Sequence, residues 1–302
     1  MRLVRIATAS FLLDDAPHTI EQNIYRACAY IENAAQKGAD VILLPECVTT
    51  AGVPATDRFT SERYPGEWTK AFRECAKKNA INVIAPYWVR VRNKIFNQAT
   101  VIARSGVVAG MYRKVQPTAE EWRHSFAGTE LPIIELDFGK IAVMICMDVY
   151  FPEIARVYAM KGAEILFWPT TTVGPSQEGL EAQIRSRAID NSIPIVEANY
   201  AQCPPYAPYA GRFRPGNARI IDHNGDVIAS TGRRDGLAIA EIDLDAIRVT
   251  SGVIGKREPD RTRQDMEEQV RMDLYAKEYA AIAAARKREG GTRGKRNKRR
   301  KK

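Results

Sequence analysis

A chain of 302 residues with 45% hydrophobic content can bury a large core, in one domain or two, and holds no apolar run near the ~18 residues needed to cross a bilayer. Its formal charge of +9 points to nucleic acid only until it is located: residues 286–302 hold eleven Lys and Arg and one Glu, leaving the rest of the chain at −1. Such a run cannot bury apolar surface and is expected to be a disordered tail; with no aromatic residues interleaved to stack on bases, weak, salt-sensitive attraction to polyanions is the most it implies.

Met1 to Leu13 reads as a first strand, because Asp14-Asp15 follow it and no small-residue cleavage site marks an export signal. Thr19 and Gln22 have the spacing of a capping box, and Ile20, Ile24, Ala27, Ile31 and Ala34 recur at helical spacing up to Gly38. The apolar run Ala39–Leu44 ends in Pro45-Glu46, so a carboxylate stands where a turn residue is usual. A second helix is expected over Gly66–Asn79, with Trp68, Phe72 and Cys75 on one core-facing side. Val89–Val101 reads as a hairpin turning near Arg92-Asn93-Lys94, and the strand Gly106–Met111 leads into Tyr112-Arg113-Lys114. Leu131–Cys146 reads as a hairpin turning at Phe138-Gly139, then a helix from Phe151, strand Ala163–Trp168, helix Leu180–Asn191, strand Ile193–Asn199, hairpin Asn217–Ser230 and strand Leu237–Ile242. Past Asp260, Met266, Val270, Leu274, Tyr275 and Ile282 form the apolar stripe of a further helix.

Three of these segments carry chemistry. Cys146 follows the apolar run Lys140–Ile145 and precedes Met147-Asp148-Val149-Tyr150-Phe151-Pro152-Glu153, so its thiol stands at the end of a buried strand, where a nucleophile is held. Glu46 is the candidate base, Lys114 the candidate electrophile, and the N–H of Met147 a candidate donor to an oxyanion. Together they are the parts that acyl transfer through a thioester requires. The histidines His18, His124 and His223 are isolated and lack ligand spacing, and no phosphate loop, dinucleotide fingerprint or nucleophilic-serine elbow is present, so no metal and no cofactor is implied. Five cysteines without a CxxC pair suggest free thiols and a reducing, cytoplasmic setting.

From about Arg5 to Asp243 the sequence resembles the nitrilase superfamily, the carbon-nitrogen hydrolases. The resemblance rests on Leu44-Pro45-Glu46, Tyr112-Arg113-Lys114, Ile145-Cys146-Met147-Asp148 with Phe151-Pro152-Glu153, and Arg187-Ala188-Ile189-Asp190-Asn191. It implies an α/β four-layer αββα sandwich over residues 1–260, with a helical extension at 261–285 and the basic tail at 286–302. It implies a Glu-Lys-Cys triad on Glu46, Lys114 and Cys146, and a supporting glutamate at Glu121, or at neighbouring Glu120, from the pattern Lys-x-x-Pro-Thr-x-x-Glu. Homodimers or larger homo-oligomers paired through a helix face are the family habit.

The resemblance also bears on substrate. The nitrile-hydrolysing branch carries Cys-Trp-Glu where this chain has Cys146-Met147-Asp148, so hydrolysis of an amide or carbamoyl C–N bond is favoured over nitrile hydrolysis. Branches acting on carbamoyl amino acids or dicarboxylate amides place arginine three or four residues after the cysteine; Val149 and Tyr150 stand there instead, which weakens the case for an acidic substrate. Tyr150, Trp122 and Thr171 are the candidate substrate contacts, and Arg212 and Arg214, in a Pro- and Tyr-rich loop, could supply the missing guanidinium. Asp148 and Glu153 read as structural. Acyl transfer to an amine or alcohol is compatible with the same triad, and the rival from another class is a scaffold recruited to nucleic acid by its tail.

Overall fold

A computed structural model of the chain describes residues 1–13, 18–171, 177–201, 217–245 and 270–299. It divides into two units, residues 1–250 and 251–302.

The first unit opens with β1 (Leu3–Phe11), α1 (Ile20–Gln36), β2 (Val41–Leu43), β3 (Glu62–Arg63), α2 (Glu67–Asn79), β4 (Asn82–Val91), β5 (Lys94–Ile102) and β6 (Val108–Arg113). It continues with β7 (Ile134–Leu136), β8 (Gly139–Val143), α3 (Pro152–Met160), β9 (Ile165–Pro169), α4 (Gln177–Ile189), β10 (Ile195–Tyr200), β11 (Arg219–Ile221), β12 (Val227–Ser230) and β13 (Gly236–Asp243). The capping box is present: Gln22 N donates to Thr19 Oγ1 at 3.2 Å and Thr19 N to Gln22 Oε1 at 2.9 Å. Glycine caps α2 without a side chain, and the carboxylate of Glu62 fills the gap, accepting from Trp68 N at 2.8 Å and Thr69 N at 3.1 Å.

The strands run in the order β6-β5-β4-β2-β1-β10-β9-β8-β7, with β13 added beside β1, β3 beside β4, and β11 and β12 beyond β10. This path is two sheets joined at one seam, because β1 and β10 pair only at Ser10↔Asn199 and Phe11↔Tyr200. In the first sheet β1, β2 and β4 are parallel, and β4, β5 and β6 form an antiparallel meander. In the second, β8, β9 and β10 are parallel, flanked by antiparallel β7 and β11.

Alternation along the strands sorts the side chains into layers. Ala7, Ala9 and Phe11 of β1 pack with Ile42, Val83 and Tyr87 against Ala27, Ile31 and Ala34 of α1 and Phe72 and Ala76 of α2. Val4 and Ile6 of β1, with Leu43, Ile84 and Val101, join Ile141, Val143, Ile165, Phe167 and Ile195 of the second sheet, and Ile154, Ala155 and Tyr158 of α3 and Ile184 and Ala188 of α4 belong to the same core. The result is the α/β sandwich expected: helices, sheet, sheet, helices. Cys75 packs against this core, as expected, but is only half-buried. It lies on the flank of the α2 stripe facing α1, not beneath it beside fully buried Phe72.

The second unit contributes α5 (Met272–Arg299), on which Met272, Leu274, Tyr275, Tyr279 and Ile282 are exposed. It continues as helix through residues 286–299, where composition leads one to expect disorder. Met266, and with it the start of the apolar stripe, lies outside the described residues, as do Cys203, Arg212 and Arg214. Among the described residues no helix is long and apolar enough to cross a membrane, and no group of three or more His, Cys, Asp and Glu residues is placed to hold a metal.

Candidate active site

Glu46 and Cys146 follow parallel strands, β2 and β8, at their C-terminal ends, the usual position of a site in an α/β sheet, while Lys114 follows antiparallel-paired β6 and Glu121 lies in a 3-10 turn. Beyond β2, Leu44 N still donates to Ile84 O at 3.0 Å and Val48 N to Pro86 O at 2.9 Å, so Glu46 sits in backbone held by β4. Lys114 directly follows β6: its N–H donates to Asn97 O at 2.9 Å, and its carbonyl accepts from Gly128 N at 2.8 Å. A Cβ at Gly128 would fall 2.2 Å from Arg113 O, so only glycine permits that approach. Cys146 follows β8 and opens a 3-10 turn over Cys146–Tyr150 with φ of 46°, a left-handed conformation rare for a residue with a side chain.

Lys114 Nζ lies 2.9 Å from Glu46 Oε1 and 2.8 Å from Glu121 Oε2, with all three side chains almost fully buried. Asn97 Nδ2 bridges the same carboxylates, at 2.8 Å from Glu46 Oε1 and 3.0 Å from Glu121 Oε1. The other oxygen of Glu46 accepts from Thr171 N and Thr171 Oγ1, each at 2.9 Å, a link from the first sheet to the end of β9 in the second. Glu121 Oε2 also accepts from Thr118 N at 2.6 Å. Neighbouring Glu120 points elsewhere, to exposed Arg58 at 3.0 Å, which separates the two glutamates that the sequence left open.

Burial alone would lower the Lys114 pKa, but the charge of Cys146 in its thiolate form and those of Glu46 and Glu121 raise it well above the ordinary lysine value. Burial likewise opposes ionisation of Glu121, and the Lys114 ammonium with its hydrogen bonds reverses that, holding the carboxyl below the usual glutamate range. Cys146 goes the other way. Burial, then the Glu46 carboxylate, push its thiol up to about 12, against the pull of Lys114 and a hydrogen bond from Thr170. The sulfur therefore rests as a thiol and needs a base to become a nucleophile. The residue as a whole is half-buried.

A second set of bonds fixes the turn that carries Cys146. Asp148, fully buried, accepts from Ile145 N at 2.7 Å, from Tyr112 Oη at 2.6 Å and from Gln116 N at 3.0 Å, joining the cysteine turn to both sides of Lys114. Burial pushes the Asp148 carboxyl up to about 7, with those donors working against the shift. Trp168 Nε1 donates to the Cys146 carbonyl at 3.0 Å, and Arg187 Nε to Val149 O at 3.2 Å.

The candidate substrate contacts fall in different places. Tyr150, 38% exposed, is near enough for a Cys146 thiolate to raise its pKa, after burial, the larger cause. Trp122 follows Glu121 and is 55% exposed. Thr171, expected to meet substrate, has both its N–H and its hydroxyl engaged by Glu46. Met147 is half-buried at the start of the 3-10 turn. Sequence reading missed Asn97 and Thr170 altogether and gave Tyr112, a motif residue, no role; the one further signal was a lone asparagine in the otherwise apolar inward alternation of β5.

This chain belongs to the carbon-nitrogen hydrolase family, whose description matches residues 7–251. It is thus an enzyme of the class that acts on carbon–nitrogen bonds other than peptide bonds. Among curated relatives, it is 30% identical to omega-amidase NIT2-A of Xenopus laevis over 74% of this chain and 83% of that one. The human omega-amidase NIT2 is 28% identical over 74% of this chain and 83% of its own. In fold it is similar to an amidase from Nesterenkonia sp., with a TM-score of 0.73 at 19% identity, covering 91% of this chain and 95% of the other. Nit3 of Saccharomyces cerevisiae, a member of branch 10 of the nitrilase superfamily, superposes with a TM-score of 0.70 at 24% identity, over 82% and 93% of the two chains.

Proposed function

We propose that the protein is an amidase that hydrolyses a small linear amide or carbamoyl compound through a Cys146 thioester. Glu46 takes the Cys146 proton, the thiolate adds to the carbonyl carbon, and Lys114 with the Met147 N–H stabilises the oxyanion. Collapse of the tetrahedral adduct breaks the C–N bond, and Glu46 returns its proton to the leaving ammonia or amine. The same carboxylate then deprotonates the water that cleaves the thioester. Glu121 and Asn97 hold Lys114 and Glu46 in register. The observation that carries this reading is the burial of Lys114 between Glu46 and Glu121 within electrostatic reach of Cys146.

The relatives named omega-amidase support an amide substrate. Tyr150, next to Cys146 where a carboxylate-binding branch carries arginine, favours an apolar or amine-bearing acyl group over an acidic one. Self-association through a helix face is part of the proposal, and Val157 of α3 and Ile189 of α4 are exposed apolar residues on that side. So are a cytoplasmic setting and weak polyanion attraction at the basic end of the chain.

Replacing Cys146 with Ala should abolish ammonia release from simple amides while leaving the far-ultraviolet circular dichroism and thermal unfolding close to those of the unaltered protein. Turnover retained by C146A would overturn the mechanism.

A further inference from the structure

Cys146 is not the only thiol with a shaped environment. Cys28 on α1 and Cys75 on α2 are both free and half-buried, and both pack at the edge of the core where the two helices meet. Cys75 Sγ donates to the carbonyl oxygen of Cys28 at 3.6 Å and lies 3.6 Å from Asn79 Nδ2, which sets the two cysteines side by side across α1 and α2. Lys78 is the cation near both sulfurs, and Glu32 of α1 is the acidic group near Cys75. Two adjacent, half-buried free cysteines on neighbouring helices have no part in amide hydrolysis.

We propose that Cys28 and Cys75 form a two-thiol redox site, separate from the Cys146 centre, in which a peroxide oxidises Cys75 and Cys28 resolves the product into an α1–α2 disulfide. The Cys75 thiolate attacks one peroxide oxygen: an S–O bond forms, the O–O bond breaks, and the departing hydroxide takes a proton to leave as water. Cys75 is then a sulfenic acid. The Cys28 sulfur attacks that sulfur, an S–S bond forms as the S–O bond breaks, and the hydroxyl leaves with the Cys28 proton as a second water. Two thiols have lost two electrons and two protons to one hydrogen peroxide, and the account balances.

The two sulfurs are not equivalent, and the difference sets the order of events. The hydrogen bond from Cys28 draws the Cys75 thiol below the usual cysteine range, with help from the Asn79 amide and the Lys78 ammonium, against burial and Glu32. Cys28 is held above it, first by the same hydrogen bond and then by burial. A more acidic thiol beside a protonated one is the pairing of attacking and resolving cysteines. Cys146, with its thiol raised by burial and by Glu46, is the poorer target for the same oxidant. The pair thereby gives peroxide a reactive sulfur outside the hydrolytic centre.

The test is to expose the full-length protein to one equivalent of hydrogen peroxide at neutral pH, block residual thiols with iodoacetamide, digest, and map the peptides by mass spectrometry. The expected result is a Cys28–Cys75 linked peptide, lighter by two hydrogens and released by dithiothreitol, forming at least about tenfold faster than oxidation of Cys146, since reactivity follows thiolate fraction. In Cys28→Ser, which removes the resolving sulfur and puts a hydroxyl donor in its place, Cys75 should accumulate as a sulfenic acid that a 1,3-dione traps. In Cys75→Ser, Cys28 should stay reduced. Oxidation of Cys146 ahead of an intact Cys28 and Cys75, or a Cys28→Ser protein whose Cys75 is never trapped, would overturn the proposal.

Discussion

Asp148→Asn changes one atom type at the junction between the cysteine turn and the lysine strand. One carboxylate oxygen accepts from Ile145 N at 2.7 Å and Tyr112 Oη at 2.6 Å, and the other from Gln116 N at 3.0 Å. An amide in the same place has one oxygen and one NH₂. If the oxygen stays with Gln116, the Tyr112 hydroxyl can turn and accept, but Ile145 N–H faces another donor; if the amide flips, Gln116 N–H is the one stranded. Either way one buried backbone donor loses its partner, at a cost of about 1–3 kcal/mol. For a domain of this size that is a fall in Tm of roughly 2–12 °C. The effect on turnover should be larger than the stability loss suggests, because the displaced residue is either Ile145, which adjoins Cys146, or Gln116, two residues from Lys114; a shift near 1 Å in a reacting group costs ~100-fold. Differential scanning calorimetry and ammonia release, measured on one preparation, check both parts. A D148N protein that unfolds at the unaltered temperature and releases ammonia at the unaltered rate would show that these bonds do not hold the turn.

Asn97→Ala removes both amide bonds to the Glu46 and Glu121 carboxylates while leaving the Lys114 contacts in place. Each bond to a charged group is worth about 1.5–3 kcal/mol, so kcat/KM for ammonia release should fall by roughly 10- to 100-fold, and Asn97→Asp, which sets a third carboxylate against two others, should fall further. Full activity in N97A would remove that residue from the site. Glu121 predicts the acid limb of stability. Its carboxyl titrates below the ordinary range in the folded protein, mainly because the Lys114 charge and hydrogen bonds overcome burial, so the unfolded chain binds its proton first. The stabilisation is complete above the ordinary glutamate pKa, about 4.3, and is lost as pH falls through the folded value, at no more than about 1.4 kcal/mol per pH unit. Denaturant midpoints compared between about pH 6 and pH 3 should therefore drop less in Glu121→Gln than in the unaltered protein; parallel curves would refute the assignment.

Local physics wrote a good deal of this protein into its sequence. Thr19 and Gln22 cap α1 because both partners of the box lie within one turn, and Arg92-Asn93 turns the β4–β5 hairpin because the turn needs only its own residues. Apolar runs that break at Glu46, Lys114 and Cys146 likewise marked where strands end and chemistry begins. What each end faces was another matter. Glu46 meets Thr171 across 125 positions, Asn97 reaches Glu46 across 51, and Asp148 takes the Tyr112 hydroxyl across 36. The first and last of these contacts exist because two sheets stack with these strand ends together, and the second because β4 sets β5 two strands from β2 in one sheet; strand periodicity fixes only which side of a sheet a residue points to, never which distant residue it meets there. Helical spacing has the same limit for Cys75: it gave the direction of the side chain, while the lateral position of α1, set by packing on the shared sheet, left that residue beside Cys28 and half-buried.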